Sequence, residues 1–148
     1  MAFQPLDPEF EQKVRSSFSR QMFMEFLHAE LIKIEPGFCE IHVPYRKELT
    51  QQHGFFHAGV MGTIADNCGG YAAFSLMPKD ASVLSVEYKL NLLAPGNGEL
   101  LTGQGRVIKP GKNLTICSTE IFIHKNKVKK LCATSLMTLM TMHGKKDR

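Results

Sequence analysis

One aspartate interrupts the longest apolar stretch of the chain. The run from Val60 to Leu76 contains Ile64-Ala65-Asp66-Asn67-Cys68, with small and apolar residues on both sides of Asp66. An isolated carboxylate is seldom buried unless it is paired or functional. Placed on a helix in such surroundings, it is suited to take a proton as a general base. The segment leading into this helix, Gln51-Gln52-His53-Gly54-Phe55-Phe56-His57-Ala58-Gly59, has no Ser, Thr, Asp or Asn at the natural capping position. The first helical N–H groups are therefore expected to lack an internal acceptor. Free N–H groups at a helix start attract an anion or a polarised carbonyl oxygen, which is how backbone alone can build an oxyanion hole. Water or the Gln51 side chain could satisfy the same donors.

Other chemistries lack the necessary spacing. His53 and His57 lie four apart, but Gly54 intervenes and no HExxH pattern accompanies them. His57 reads as a hydrogen-bonding residue that shapes the turn. A GxSxG elbow is missing, which removes a serine triad of the α/β-hydrolase kind. The segment from Gly105 to Asn113 fails as a phosphate loop, being one residue too long and ending in Asn113 where Ser or Thr is required. Cys68 follows Asp66 by two positions, yet no activating His stands at a fixed distance, and it reads as a small core residue. No metal site and no cofactor is expected.

These groups need elements to hold them. Residues 5–28 read as one amphipathic helix, with Phe10, Val14, Phe18, Met22 and Phe26 recurring every fourth position. Asp7 and Pro8 supply an N-cap and a first-turn proline. Short strands are expected over 29–35 and 37–45, separated by Pro36-Gly37. A polar loop follows, then a helix over 57–76 that contains Gly59, Gly62, Gly69 and Gly70. Each interior glycine costs roughly 1 kcal/mol relative to alanine, so this helix must be enclosed by close packing. Residues 82–93 alternate, with Leu84, Val86, Tyr88, Leu90 and Leu92 on one face and Ser85, Glu87, Lys89 and Asn91 on the other. Strands over 99–109, 114–124 and 128–142 complete an antiparallel meander. The order predicts an α+β fold, a single domain over 1–148 with an N-terminal helix before a core of about 29–143.

Composition sets outer bounds. The chain has 148 residues, 43% hydrophobic and 22% charged, and a formal net charge of +4. Lys125, Lys127, Lys129 and Lys130 cluster, and Lys145, Lys146 and Arg148 end the chain. Without an aromatic RNA-binding pattern or a helix-turn-helix signal, no nucleic-acid partner is expected. Cys39, Cys68, Cys117 and Cys132 show no CxxC spacing, and no secretory leader is evident, so reduced thiols in the cytoplasm are expected. A charge at the centre of a membrane helix costs about 2.5–3.5 kcal/mol, so the Val60–Leu76 run is read as a buried helix and no membrane partner is expected.

The run His57-Ala58-Gly59-Val60-Met61-Gly62-Thr63-Ile64-Ala65-Asp66, followed by Gly69-Gly70-Tyr71-Ala72-Ala73, resembles the HGG-x₆-D signature of PaaI-like hotdog-fold thioesterases. Ser85-Val86-Glu87-Tyr88-Lys89-Leu90-Asn91-Leu92-Leu93-Ala94-Pro95 is similar to that family's third-strand motif, and Arg106 to Lys112 fits the next strand and turn. The resemblance spans roughly 34–142. It implies a curved antiparallel sheet wrapped around the central helix, a homodimer or homotetramer, and active sites at the dimer interface. It implies hydrolysis of an acyl-CoA, with Asp66 as nucleophile or general base and the Ala58 N–H of the partner polarising the thioester carbonyl. Ser85 would lie near the attacking water, and Gln51 stands where the family commonly has Asn. His57 and Gly59 would shape the substrate site, and Arg106, Lys112 or the 125–130 lysines would meet the CoA phosphates. The chain departs from the signature at Ala58, where glycine is usual; a backbone donor survives that change. Phe55, Phe56, Tyr71 and Phe74 suit either an acyl pocket or the core. A non-catalytic acyl-CoA sensor on the same fold is the alternative, and a dehydratase using His57 is a third reading.

Overall fold

The computed structural model describes residues 2–148. Two helices, α1 (Phe10–Ser19) and α2 (Met22–Leu27), precede strands β1 (Glu30–Glu35) and β2 (Phe38–Pro44). A short 3₁₀ turn at Lys47–Leu49 leads to the long helix α3 (Ala58–Phe74). Strands β3 (Ser82–Leu92), β4 (Leu100–Lys109), β5 (Leu114–Lys125) and β6 (Val128–Met142) follow. All six strands form one antiparallel sheet in the order β1-β2-β4-β5-β6-β3, wrapped around α3. This is the expected α+β hotdog architecture, with an added N-terminal helical segment.

The single helix read over 5–28 is two. The chain breaks at Arg20 and Gln21, where Gln21 is extended (φ −79°, ψ 102°). The four-residue period continues through Met22 and Phe26, but those side chains point outward, 75% and 60% exposed, while Met24 and Leu27 are buried. Asp7 does not cap α1 directly. Its Oδ1 accepts from Glu9 N–H at 3.0 Å and its carbonyl from Phe10 N–H at 3.2 Å, one turn before the helix begins.

Helix α3 is as enclosed as its glycines require. Ile64, Ala65, Cys68, Ala72 and Phe74 are fully buried against Ile41, Leu101, Ile121 and Met137 of the sheet. At Gly105 of β4 a Cβ would stand 2.2 Å from the Cys68 carbonyl oxygen. Backbone meets backbone there, which only glycine permits.

Strand β3 corrects the simple alternation. Ser85 pairs with Leu139 and Glu87 with Thr138, so a bulge at Val86 absorbs one residue. Beyond it the faces exchange, and Tyr88 pairs with Met137, Leu90 with Ser135. Leu139 and Met137 are buried, so Ser85, Tyr88 and Leu90 share the face turned to α3. Leu84 and Glu87 lie on the opposite one. A bulge changes facing in this way because side-chain direction has period two.

Candidate active site

The helix start is positioned by the loop before it. His57 N–H donates to the Leu49 carbonyl at 2.9 Å, and Phe56 N–H to the Gly96 carbonyl at 2.9 Å. His57 then caps α3 with its own ring, Nδ1 accepting from Gly59 N–H at 2.8 Å. The expectation of an uncapped helix start is therefore corrected: imidazole does what a serine or aspartate usually does. Val60 and Met61 N–H groups donate to the His57 carbonyl at 2.9 and 3.4 Å. With Gly59 served by the ring, Ala58 N–H alone in the first turn has no acceptor among the described residues. Because Nδ1 accepts, the proton of the neutral ring sits on Nε2.

Asp66 projects from the middle of α3 toward β3. Ser85 Oγ donates to Asp66 Oδ1 at 2.5 Å. The pair borders a cavity of about 440 Å³, whose wall also includes Ser17, Gln21, Asn67 and Tyr71. Ala58 and Gln51 border a different cavity of about 480 Å³, between the loop holding Phe55 and the end of β3 at Leu92 and Leu93. The Gln51 side chain is turned into its own loop, Oε1 accepting from His53 N–H at 2.5 Å. Within one chain, then, the expected working residues fall into two halves. Asp66 follows Ala58 by eight positions of helix, about 12 Å at 1.5 Å per residue.

Arg106 and Lys112 border neither half. The Arg106 guanidinium lies 4.4 Å over the Phe38 ring, and Lys112 lines an apolar cavity with Leu76 and Met77 near the far end of α3. Of the aromatic residues, Phe55 and Phe56 line the Ala58 cavity, Tyr71 lines the Asp66 cavity, and Phe74 is core. Cys68 is fully buried, and burial pushes its thiol well up, which leaves little thiolate for attack. Among the described residues no group of three His, Cys, Asp or Glu side chains could hold a metal ion, and no helix is long and apolar enough to cross a membrane.

Sequence reasoning missed Ser17 and Gln21 as neighbours of Asp66. Gln21 Nε2 donates to Asn67 Oδ1 at 2.9 Å and to Tyr71 Oη at 2.5 Å, and Ser17 Oγ and Tyr71 Oη share a bond of 3.2 Å. On a continuous helix Gln21, seven positions after Val14, would fall about 20° from it on the apolar face. Its available signal was polarity: Ser17 and Gln21 flank the apolar period without belonging to it.

A sequence profile of the thioesterase superfamily matches residues 53–130, from the loop before α3 to the start of β6. The chain belongs to the thioesterase superfamily. It is accordingly a thioester hydrolase. A thioesterase family protein from Silicibacter pomeroyi is 44% identical and superposes with a TM-score of 0.90, over 91% of this chain and 99% of that one. A candidate esterase of Saccharolobus solfataricus is 30% identical over 97 residues, 65% of this chain and 68% of the relative. The E. coli PaaI protein shares the fold at a TM-score of 0.81 and 19% identity, over 95% of this chain and 98% of that one.

Proposed function

We propose that this thioesterase hydrolyses acyl-CoA in a site assembled from two copies of the chain. Asp66 and Ser85 come from one protomer, and Ala58 N–H, with Gln51 nearby, from the other. The split of the working residues is the observation that carries this reading. Each half abuts a different end of β3: Val83, Leu84 and Ser85 line the Asp66 cavity, while Leu92 and Leu93 line the Ala58 cavity. Strand β3 is one of the two outer strands of the sheet, and Leu84, Val86, Tyr88 and Leu92 are exposed along it, with Leu93 exposed just beyond its end. A long apolar edge strand invites pairing with another strand. Antiparallel pairing of two β3 strands about a two-fold axis sets the Ser85 end of one against the Leu92 end of the other. Such pairing brings each Asp66 half to the partner's Ala58 half.

In that arrangement the thioester carbonyl oxygen receives the Ala58 N–H, reinforced by the N-terminal end of the α3 dipole. Asp66 takes a proton from water as the water oxygen bonds to the carbonyl carbon. The oxyanion then collapses, the carbon–sulfur bond breaks, and the departing CoA thiolate takes up the proton. Ser85 holds the carboxylate in place. Attack by Asp66 itself would instead give an anhydride that water opens.

Asp66→Asn tests the assignment. Loss of about 10²–10⁴ in kcat with acyl-CoA binding retained is the expected result, and unchanged thiol release would refute it. Single-turnover hydrolysis in ¹⁸O-water separates the two routes, since only the anhydride labels the Asp66 carboxylate.

A further inference from the structure

The cavity beside Asp66 runs one turn further along α3, where Gly70 forms part of its wall. Glycine in a helix interior is less stable than alanine and needs a reason. Its neighbour Gly69 has one, because a Cβ there would stand 2.0 Å from Met137 Sδ. Gly70 is buried, yet a Cβ on it would meet no atom within 4 Å. Packing within the chain does not exclude a side chain at this position. What the bare backbone provides is cavity depth next to the carboxylate.

The far wall of that cavity is polar. Both N–H groups of the Gln21 amide are used, one on Asn67 and one on Tyr71, while its Oε1 has no partner among the described residues. Asn67 Nδ2 gives one N–H to the Thr63 carbonyl at 3.1 Å and keeps the other. An alkyl chain seated here would strip water from these groups and leave them unpaired, at a cost in affinity. A ligand oxygen would satisfy them. Arg20 and Arg148 also border the cavity, but Asp66 and Asp147 on the same wall balance their charge, and Arg20 Nη2 is paired with Asp147 at 2.5 Å, so the wall as a whole is no seat for a second carboxylate.

We propose that this cavity is the acyl subsite, that Gly70 sets its depth, and that Gln21, Asn67 and Tyr71 select acyl chains bearing a neutral oxygen, such as a hydroxyl, near the far end. The proposal rests on the reading of Asp66 as the catalytic carboxylate. Tyr71 follows Asp66 by five residues, about 7.5 Å along the helix axis, a span that suits an acyl chain of roughly six carbons.

The test compares hexanoyl-CoA with 6-hydroxyhexanoyl-CoA, in kcat/KM for the wild type and in dissociation constant for Asp66→Asn. The hydroxylated thioester is expected to be favoured at least about tenfold in both, because a site built for a hydroxyl rejects the analogue lacking it. Gln21→Leu and Tyr71→Phe should each bring that ratio toward one. Gly70→Ala should lower the kcat/KM ratio of hexanoyl-CoA to acetyl-CoA about tenfold, with folding checked by circular dichroism. Equal or better use of hexanoyl-CoA overturns the subsite while leaving the thioesterase reading intact, as does an unchanged chain-length ratio in Gly70→Ala. Tighter binding of the hydroxylated thioester without hydrolysis of either keeps the subsite and overturns the catalytic reading. Neither binding nor hydrolysis overturns both.

Discussion

Ser85 Oγ reaches Asp66 Oδ1 at 2.5 Å from a strand position immediately before the Val86 bulge. The hydroxyl thus anchors one carboxylate oxygen and leaves the other for water. A hydrogen bond to a charged group is worth about 1.5–3 kcal/mol. Ser85→Ala is therefore expected to lower kcat roughly tenfold to a hundredfold with little change in KM. Steady-state thiol release measures this, and an unchanged kcat would remove Ser85 from the working set.

Asp66 and Ser85 were both legible in the sequence, for different reasons. A carboxylate among alanines and glycines is conspicuous whatever the fold. Ser85 is marked by the motif resemblance, while simple alternation puts it on a face without Tyr88, because period two carries no sign of a bulge. The enclosure of α3 followed from its glycines and is met in the backbone contact at Gly105. Less was legible at the N-terminus. The four-residue period of Phe10 to Phe26 is genuine, but a Gln21 turn that trades helical bonds for contacts with Asn67 and Tyr71 leaves the period intact. The His57 cap was hidden because histidine is an uncommon cap, and only the loop geometry puts Nδ1 over Gly59 N–H.

Ala58 offers a clean test of the backbone donor. It is the first helical residue of α3, and His57 before it is extended at ψ 139°, as a residue preceding proline must be. Proline is well tolerated at this position, since its missing N–H breaks no helical bond. Ala58→Pro should fold with a melting temperature close to that of the wild type while kcat falls about 10²–10³-fold, the usual loss for one oxyanion donor. Wild-type turnover in this variant would exclude the Ala58 N–H.

Two glycines of the helix–sheet core should respond oppositely to alanine. At Gly105 the new Cβ would stand 2.2 Å from the Cys68 carbonyl oxygen and 2.7 Å from Gly69 N, both backbone atoms that cannot turn aside. Gly105→Ala should destabilise by about 1–3 kcal/mol or more. At Gly70 nothing obstructs, and the helix should gain about 0.5–1 kcal/mol. Urea unfolding midpoints for the two variants, on opposite sides of the wild type, check the contrast.

All four cysteines are buried as free thiols. Burial pushes the Cys117 thiol to about 12 and the Cys132 thiol to about 11, far above the assay range. At pH 8 in native buffer, a disulfide reagent should therefore titrate almost no thiol, and all four should react in denaturant. Fast labelling of a cysteine with loss of hydrolysis would revive a thiol nucleophile.

Mixed oligomers decide whether the two halves of the site come from different chains. Asp66→Asn disables one half and Ala58→Pro the other, and each variant alone carries the same defect in every site. In a hybrid dimer the two defects coincide at one site, leaving the second with an intact Asp66 from one chain and an intact Ala58 from the other. Random association makes half of the dimers hybrids, each with one working site of two, so activity should recover to about a quarter of wild type. Co-expression with two affinity tags, followed by purification of the hybrid, raises the expected value to about half. If both residues instead served one site within a single chain, the hybrid would contain no intact site and would stay inactive. Recovery under conditions where the separate variants remain inactive cannot arise from a site confined to one chain, because Ala58 and Asp66 are then never both intact.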